Sequence, residues 1–93
     1  MRILLIEDDT RLVAMTKEYL QQQNYSVDVA TDGEDGLFQL TETEYDLVIV
    51  DLGLPKIDGI ELITKARQQN IKCPVIILTA RDHWQQKVAG LDA

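Results

Sequence analysis

Ile3-Leu4-Leu5-Ile6-Glu7-Asp8-Asp9 decides the fold: four apolar residues, then three acids. A short, continuous, β-branched-rich run suits a strand covered on both faces, as in a parallel sheet between helices. Leu47-Val48-Ile49-Val50 and Val75-Ile76-Ile77-Leu78 repeat the design, and each is again followed by a polar group, Asp51 and Thr79. Ser26-Val27-Asp28-Val29-Ala30 alternates instead, the pattern of a half-exposed strand at a sheet edge.

The intervening segments read as helices. Residues Thr10 to Gln23 place Leu12, Met15, Tyr19 and Leu20 on one face, with Asp9 as N-cap and Asn24 as the stop. Asp32 caps a helix from Gly33 to Thr43 with Leu37 and Leu40 inward. Asp58-Gly59-Ile60-Glu61 is the signature of a capping box, and Asn70 ends the helix it opens. Asp82-His83-Trp84-Gln85 repeats that signature, with Val88 and Leu91 at helical spacing. The order is βαβαβαβα. Such alternation predicts an α/β fold, a flavodoxin-like doubly wound parallel sheet with helices on both faces. The edge-like second strand sets the strand order to 2-1-3-4, with a topological switch point between strands one and three.

Composition narrows the function. The chain has 93 residues, 45% of them hydrophobic, and a formal net charge of −7. That is one small domain or part of one, and too apolar for disorder. An acidic chain does not hold a phosphate backbone by bulk electrostatics, so these residues are not expected to form a nucleic-acid surface. Cys73 is the only cysteine and His83 the only histidine, so neither a disulfide framework nor a Cys/His metal site is available. Apolar runs of four residues are far short of a membrane span, and the N-terminus lacks signal-peptide character, which predicts a cytoplasmic chain without membrane contact.

The chemistry gathers at the carboxyl ends of the buried runs. Ligands of such sheets bind there, beside the switch point, where Glu7, Asp8 and Asp51 converge. Converging carboxylates repel unless a cation intervenes, and an all-oxygen set suits a hard ion such as Mg²⁺. Thr79 would add a hydroxyl across the crevice. A metal, a hydroxyl and a nucleophilic carboxylate together suit phosphoryl transfer through an aspartyl phosphate. Asp9, Asp58 and Asp82 read as helix caps rather than ligands.

With these residues in place, the chain resembles a bacterial two-component response-regulator receiver domain. The carriers are Ile3-Leu4-Leu5-Ile6-Glu7-Asp8-Asp9, Val50-Asp51-Leu52-Gly53-Leu54-Pro55, Asp58-Gly59 and Ile77-Leu78-Thr79-Ala80-Arg81, in order and at the family's spacing. The wording is most similar to the winged-helix (OmpR/PhoB) subfamily and its PhoP-like members. The resemblance implies that Asp51 accepts a phosphoryl group from a phosphohistidine on a sensor histidine kinase. It implies Mg²⁺ held directly by Asp8 and Asp51, by Glu7 through water, and by the backbone carbonyl of Gly53. Thr79 is implied as the switch hydroxyl, and the backbone N–H of Ala80 as a donor to the phosphoryl group. The chain would then be a self-phosphorylating acceptor with at most slow autodephosphorylation, not an enzyme. DNA would be bound only through an effector domain outside these residues.

The family domain continues with a fifth strand, carrying a Lys before a Pro, and a fifth helix. The expectation is therefore a receiver domain over residues 1–93, incomplete at its C-terminus. Without a fifth strand the fourth would present a bare edge, which suits a homodimer or a strand-swapped assembly. Two other functions fit less well. A dehalogenase-type phosphatase places a second Asp two residues after its nucleophile, where this chain has Gly53. A flavin or nucleotide binder needs a phosphate-cradling loop after the first strand, where this chain has three acids.

Overall fold

The computed structural model describes residues 1–78. Thr79, Ala80 and the helix expected after Asp82, with His83 and Trp84, lie outside the described residues. The elements are β1 (Arg2–Ile6), α1 (Thr10–Gln22), β2 (Ser26–Ala30), α2 (Gly33–Glu42), β3 (Leu47–Asp51), α3 (Gly59–Gln68) and β4 (Val75–Leu78). Among the described residues the strands form one parallel sheet of order β2-β1-β3-β4. This is the doubly wound order expected from the alternating second strand, which indeed lies at the edge.

Strand alternation divides the core into two layers. Leu4, Ile6, Val48, Val50 and Ile77 face α2 and α3, where they pack with Leu40, Leu62, Ile63 and Ala66. Ile3, Leu5 and Ile49 face the other way, toward Val13 and Leu20 of α1. β1 is buried on both faces from Ile3 to Ile6, as its continuous apolar run requires.

The caps fall where the short polar residues stand. Asp9, Asp32 and Asp58 each accept a backbone N–H in the first turn of the helix that follows. Asn24 and Asn70 take φ of 67° and 64°, the left-handed conformation that stops a helix. Beyond α1 the N–H of Tyr25 returns to the Leu20 carbonyl, and beyond α3 that of Ile71 returns to Ala66. Each pair also meets in a core cluster, so the backbone stop and the apolar contact reinforce one another.

Two sequence expectations need correction. Leu12, Met15 and Tyr19 are exposed, not inward; Met15 is 66% accessible. The stripe of α1 nearest the sheet is Val13, Thr16, Lys17 and Leu20. Leu20 is common to both stripes, and the rest of the sheet-facing stripe is displaced by about one residue around the helix from the expected one. β4 is also less covered than its apolar run implies: Ile76 is 43% exposed, while Ile77 on the opposite face is buried. A continuous apolar run is enclosed on both faces only where an element lies over each of them. Among the described residues no helix is long and apolar enough to cross a membrane.

At the amino-terminal end of the sheet a polar knot ties β2 to its neighbours. The Tyr45 hydroxyl donates to Asp28 Oδ2 at 2.7 Å, and Arg2 reaches the same oxygen at 2.9 Å. The Arg2 guanidinium also stands 5.7 Å from the centre of the Tyr45 ring.

Candidate functional site

The register of the sheet builds the acidic site. Ile6 pairs with Ala30 on one side and with Val50 on the other, so the next residues, Glu7 and Asp51, emerge side by side. The Glu7 N–H donates to the Ala30 carbonyl at 3.0 Å, which extends the ladder by one residue and fixes where its side chain leaves the sheet. Glu7, Asp8 and Asp51 each place a carboxylate oxygen within 4.8 Å of the others. Among the described residues this is the one convergent set of groups that could ligate a metal.

The three acids are not equivalent. Glu7 is 5% exposed, whereas Asp51 is half-buried and Asp8 exposed. Burial pushes Glu7 up from 4.5 to about 7, opposed by the hydrogen bond its carboxylate accepts from the Asp9 N–H and aided by the charges of Asp51 and Asp8. A buried acid facing two others lacks a counter-charge, and a divalent cation supplies one. The donors are all hard oxygens, so the set fits Mg²⁺.

The loop after Asp51 is shaped by close approach. A β-carbon on Gly59 would stand 2.8 Å from the Asp51 carbonyl oxygen and 3.0 Å from Leu52 Cα. Only glycine lets α3 begin that close to β3. Gly53 is exposed in this loop, with Asp51 Oδ2 3.9 Å from where its β-carbon would be. Asp9 and Asp58 serve as caps, as expected. The structure therefore brings together Glu7, Asp8, Asp51 and Gly53; Thr79 and Ala80 lie outside the described residues.

Sequence reasoning missed two contributors. Gly33 and Lys56 pack the first turn of α2 against the loop that follows Asp51. A helix that opens on glycine directly after its cap was the available signal for the first; the second had none. A cleft of about 530 Å³ opens at the other end of the sheet, beside Tyr45, Asp46 and Lys72. Among the described residues it holds no convergent ligating set.

A family model described as "Response regulator receiver domain" matches residues 3–93. The chain is 41% identical over 93 residues to the two-component response regulator PhoP of Pseudomonas aeruginosa, covering all of this chain and 41% of that protein. It is 45% identical over 91 residues to the response regulator ArlR of Staphylococcus aureus, covering 98% of this chain and 41% of that protein. The chain thus spans less than half the length of these curated relatives. Among solved structures, the Francisella response regulator 1452 receiver domain superposes with a TM-score of 0.89 at 35% identity, covering 98% of this chain and 75% of that one. TrrA from Thermotoga maritima, solved in complex with Mg²⁺-BeF, gives 0.87 at 34% identity, covering 99% and 80%.

Proposed function

The chain belongs to the response regulator receiver domain family of two-component signalling, and from that premise we propose that Asp51 is its phosphoacceptor. One observation carries the proposal: Glu7, Asp8 and Asp51 hold carboxylate oxygens within 4.8 Å of one another at the carboxyl ends of adjacent parallel strands. Among the three, Asp51 stands where the family resemblance implies the phosphoacceptor, in Val50-Asp51-Leu52-Gly53-Leu54-Pro55. Glu7 is only 5% exposed, so its carboxylate is not open to an incoming phosphoryl donor. Asp8 is exposed and better placed as a ligand. Asp51 is half-buried and leads directly into the loop before α3, so a group added to it alters that loop.

In the proposed reaction an Asp51 carboxylate oxygen attacks phosphorus on a phosphohistidine of a sensor kinase. An O–P bond forms as the P–N bond breaks, and the imidazole leaves neutral from its protonated form. Asp8, Asp51 and the Gly53 carbonyl would hold Mg²⁺ directly, and Glu7 through water. When bound, the ion would offset negative charge on the transferred group. Thr79 completes the proposal as the switch hydroxyl that hydrogen-bonds a phosphoryl oxygen, and the Ala80 backbone N–H as a donor to the same group. The product is an acyl phosphate, and with Gly53 where a phosphatase has its general acid, the chain would act as an acceptor with at most slow autodephosphorylation. The winged-helix relatives suggest a DNA-binding effector outside these residues and a cytoplasmic protein.

The test is Mg²⁺-dependent labelling by a small acyl-phosphate donor. Wild type should gain one hydroxylamine-sensitive phosphoryl group, and Asp51→Asn none. Equal labelling of the two proteins removes Asp51 from the role.

A further inference from the structure

The loop from Leu52 to Asp58 is held at its far end and at its middle. Its far end is fixed where Gly59 meets the Asp51 backbone, with the Gly59 N–H donating to the Leu52 carbonyl at 3.1 Å. Its middle rests on a different element, the first turn of α2. The Gly33 N–H donates to the Pro55 carbonyl at 3.3 Å. A β-carbon on Gly33 would stand 2.1 Å from the Ile57 carbonyl oxygen and 2.7 Å from Ile57 Cβ. No side chain fits between helix and loop, and the nearest obstacle is backbone, which cannot swing aside.

Lys56 sits at the tip of this contact. Its φ is 70°, and the Ile57 N–H donates back to the Pro55 carbonyl at 2.8 Å, which closes a three-residue γ-turn around it. A lysine in the left-handed region is strained by roughly 1 kcal/mol and persists where its surroundings hold it. Here the surroundings are acidic: Lys56 Nζ lies 3.5 Å from Glu34 Oε2 and 3.7 Å from Asp32 Oδ2. Asp32 uses both oxygens, Oδ1 to cap α2 at Asp35 N–H and Oδ2 to face Lys56. An exposed ion pair alone is weak, so Lys56 steadies the turn while Gly33 sets its position.

We infer that the first turn of α2 is the positioning element of the phosphoacceptor loop: Gly33 fixes the height of the loop over α2, and Lys56, paired with Asp32 and Glu34, holds its turn. This rests on the assignment of Glu7, Asp8, Asp51 and Gly53 as a Mg²⁺ site. Residues of α2 would then govern metal affinity without touching the metal, by placing Gly53 relative to Asp8 and Asp51.

The test is calorimetric Mg²⁺ titration of the intact chain, with thermal midpoints and amide exchange measured alongside. Gly33→Ala should weaken Mg²⁺ binding about 10-fold or more, as loss of a supporting contact does in metal sites. Gly36→Ala is the control: on the same helix, its β-carbon would press 2.7 Å from Ile6 Cδ1, a core side chain away from the loop. It should lower the thermal midpoint with little change in affinity. Lys56→Gln, at an exposed site that tolerates substitution, should weaken binding about two- to fivefold, and Lys56→Arg should restore it. Loss of a nearby positive charge would by Coulomb attraction alone tighten Mg²⁺ binding, so the sign separates positioning from bulk electrostatics. Wild-type affinity in Gly33→Ala, or unchanged or tighter binding in Lys56→Gln, overturns the inference. Should Gly33→Ala fail to fold, the Lys56 pair carries the test. Absence of Mg²⁺ binding by wild type would instead remove the metal assignment. In that case exchange of the Gly59 amide in metal-free protein decides: faster in Gly33→Ala than the loss of stability accounts for, or not.

Discussion

Glu7 and Asp51 leave neighbouring parallel strands side by side, and the charge of Asp51 adds to the burial that holds Glu7 at about 7. The consequence for stability follows from linkage. Glu7 has its ordinary value of 4.5 in the unfolded chain. Between that value and about 7 the folded protein holds the extra proton, so folding loses free energy as pH rises through this window.

In EDTA, the urea midpoint of wild type relative to Glu7→Gln should therefore fall from pH 4.5 to pH 7. Glu7→Gln should be the more stable protein at pH 8, since it buries no charge among like charges. Parallel pH profiles for the two proteins would contradict the burial account. Mg²⁺ affinity should decline below pH 7, where the proton competes with the ion for Glu7.

The Tyr45–Asp28 hydrogen bond, 2.7 Å long, anchors the edge strand. It is also the largest cause of the lowered Asp28 pKa, ahead of Arg2. Tyr45→Phe should cost about 1–2 kcal/mol in urea unfolding, because Tyr45 is buried while the carboxylate it serves is partly hydrated. The Asp28 titration, followed by NMR, should move upward in the variant. An unchanged Asp28 would mean that Arg2 alone holds its charge.

The corrected phase of α1 is open to a direct comparison. Leu20 packs against Ile3, Leu5 and Ile49, while Met15 is 66% exposed. Leu20→Ala should cost about 1–2 kcal/mol, and Met15→Ala should stay within about 0.5 kcal/mol of wild type. Equal costs would restore the stripe expected from the sequence.

That stripe shows where sequence reading ends. The strand order was legible because burial leaves a pattern: the run Ile3–Ile6 needs cover on both faces, and the alternation of Ser26–Ala30 needs an edge. The site was legible for a related reason. Parallel strands deliver their last residues to one end of a sheet, so Glu7 and Asp51 had to meet once the order was known. Helix phase was not legible on α1, because Leu12, Met15 and Tyr19 offer a larger apolar stripe than Val13, Thr16, Lys17 and Leu20. Hydropathy favours the larger stripe, but a helix buries only the face against which another element lies. The contact of Gly33 with Ile57 was hidden similarly: it joins two segments through backbone atoms, and a backbone contact leaves only a glycine as its trace.

Asp51 is the proposed carrier of the phosphoryl group. The most direct test is to phosphorylate the chain with a small acyl-phosphate donor and Mg²⁺, reduce with borohydride, and sequence the peptides by mass spectrometry. Reduction converts an aspartyl phosphate to homoserine and marks the acceptor in place. The expected result is homoserine at position 51 alone, absent when Mg²⁺ is withheld. Homoserine at position 8, or an unmodified Asp51 in protein that has taken up phosphate, would contradict the account.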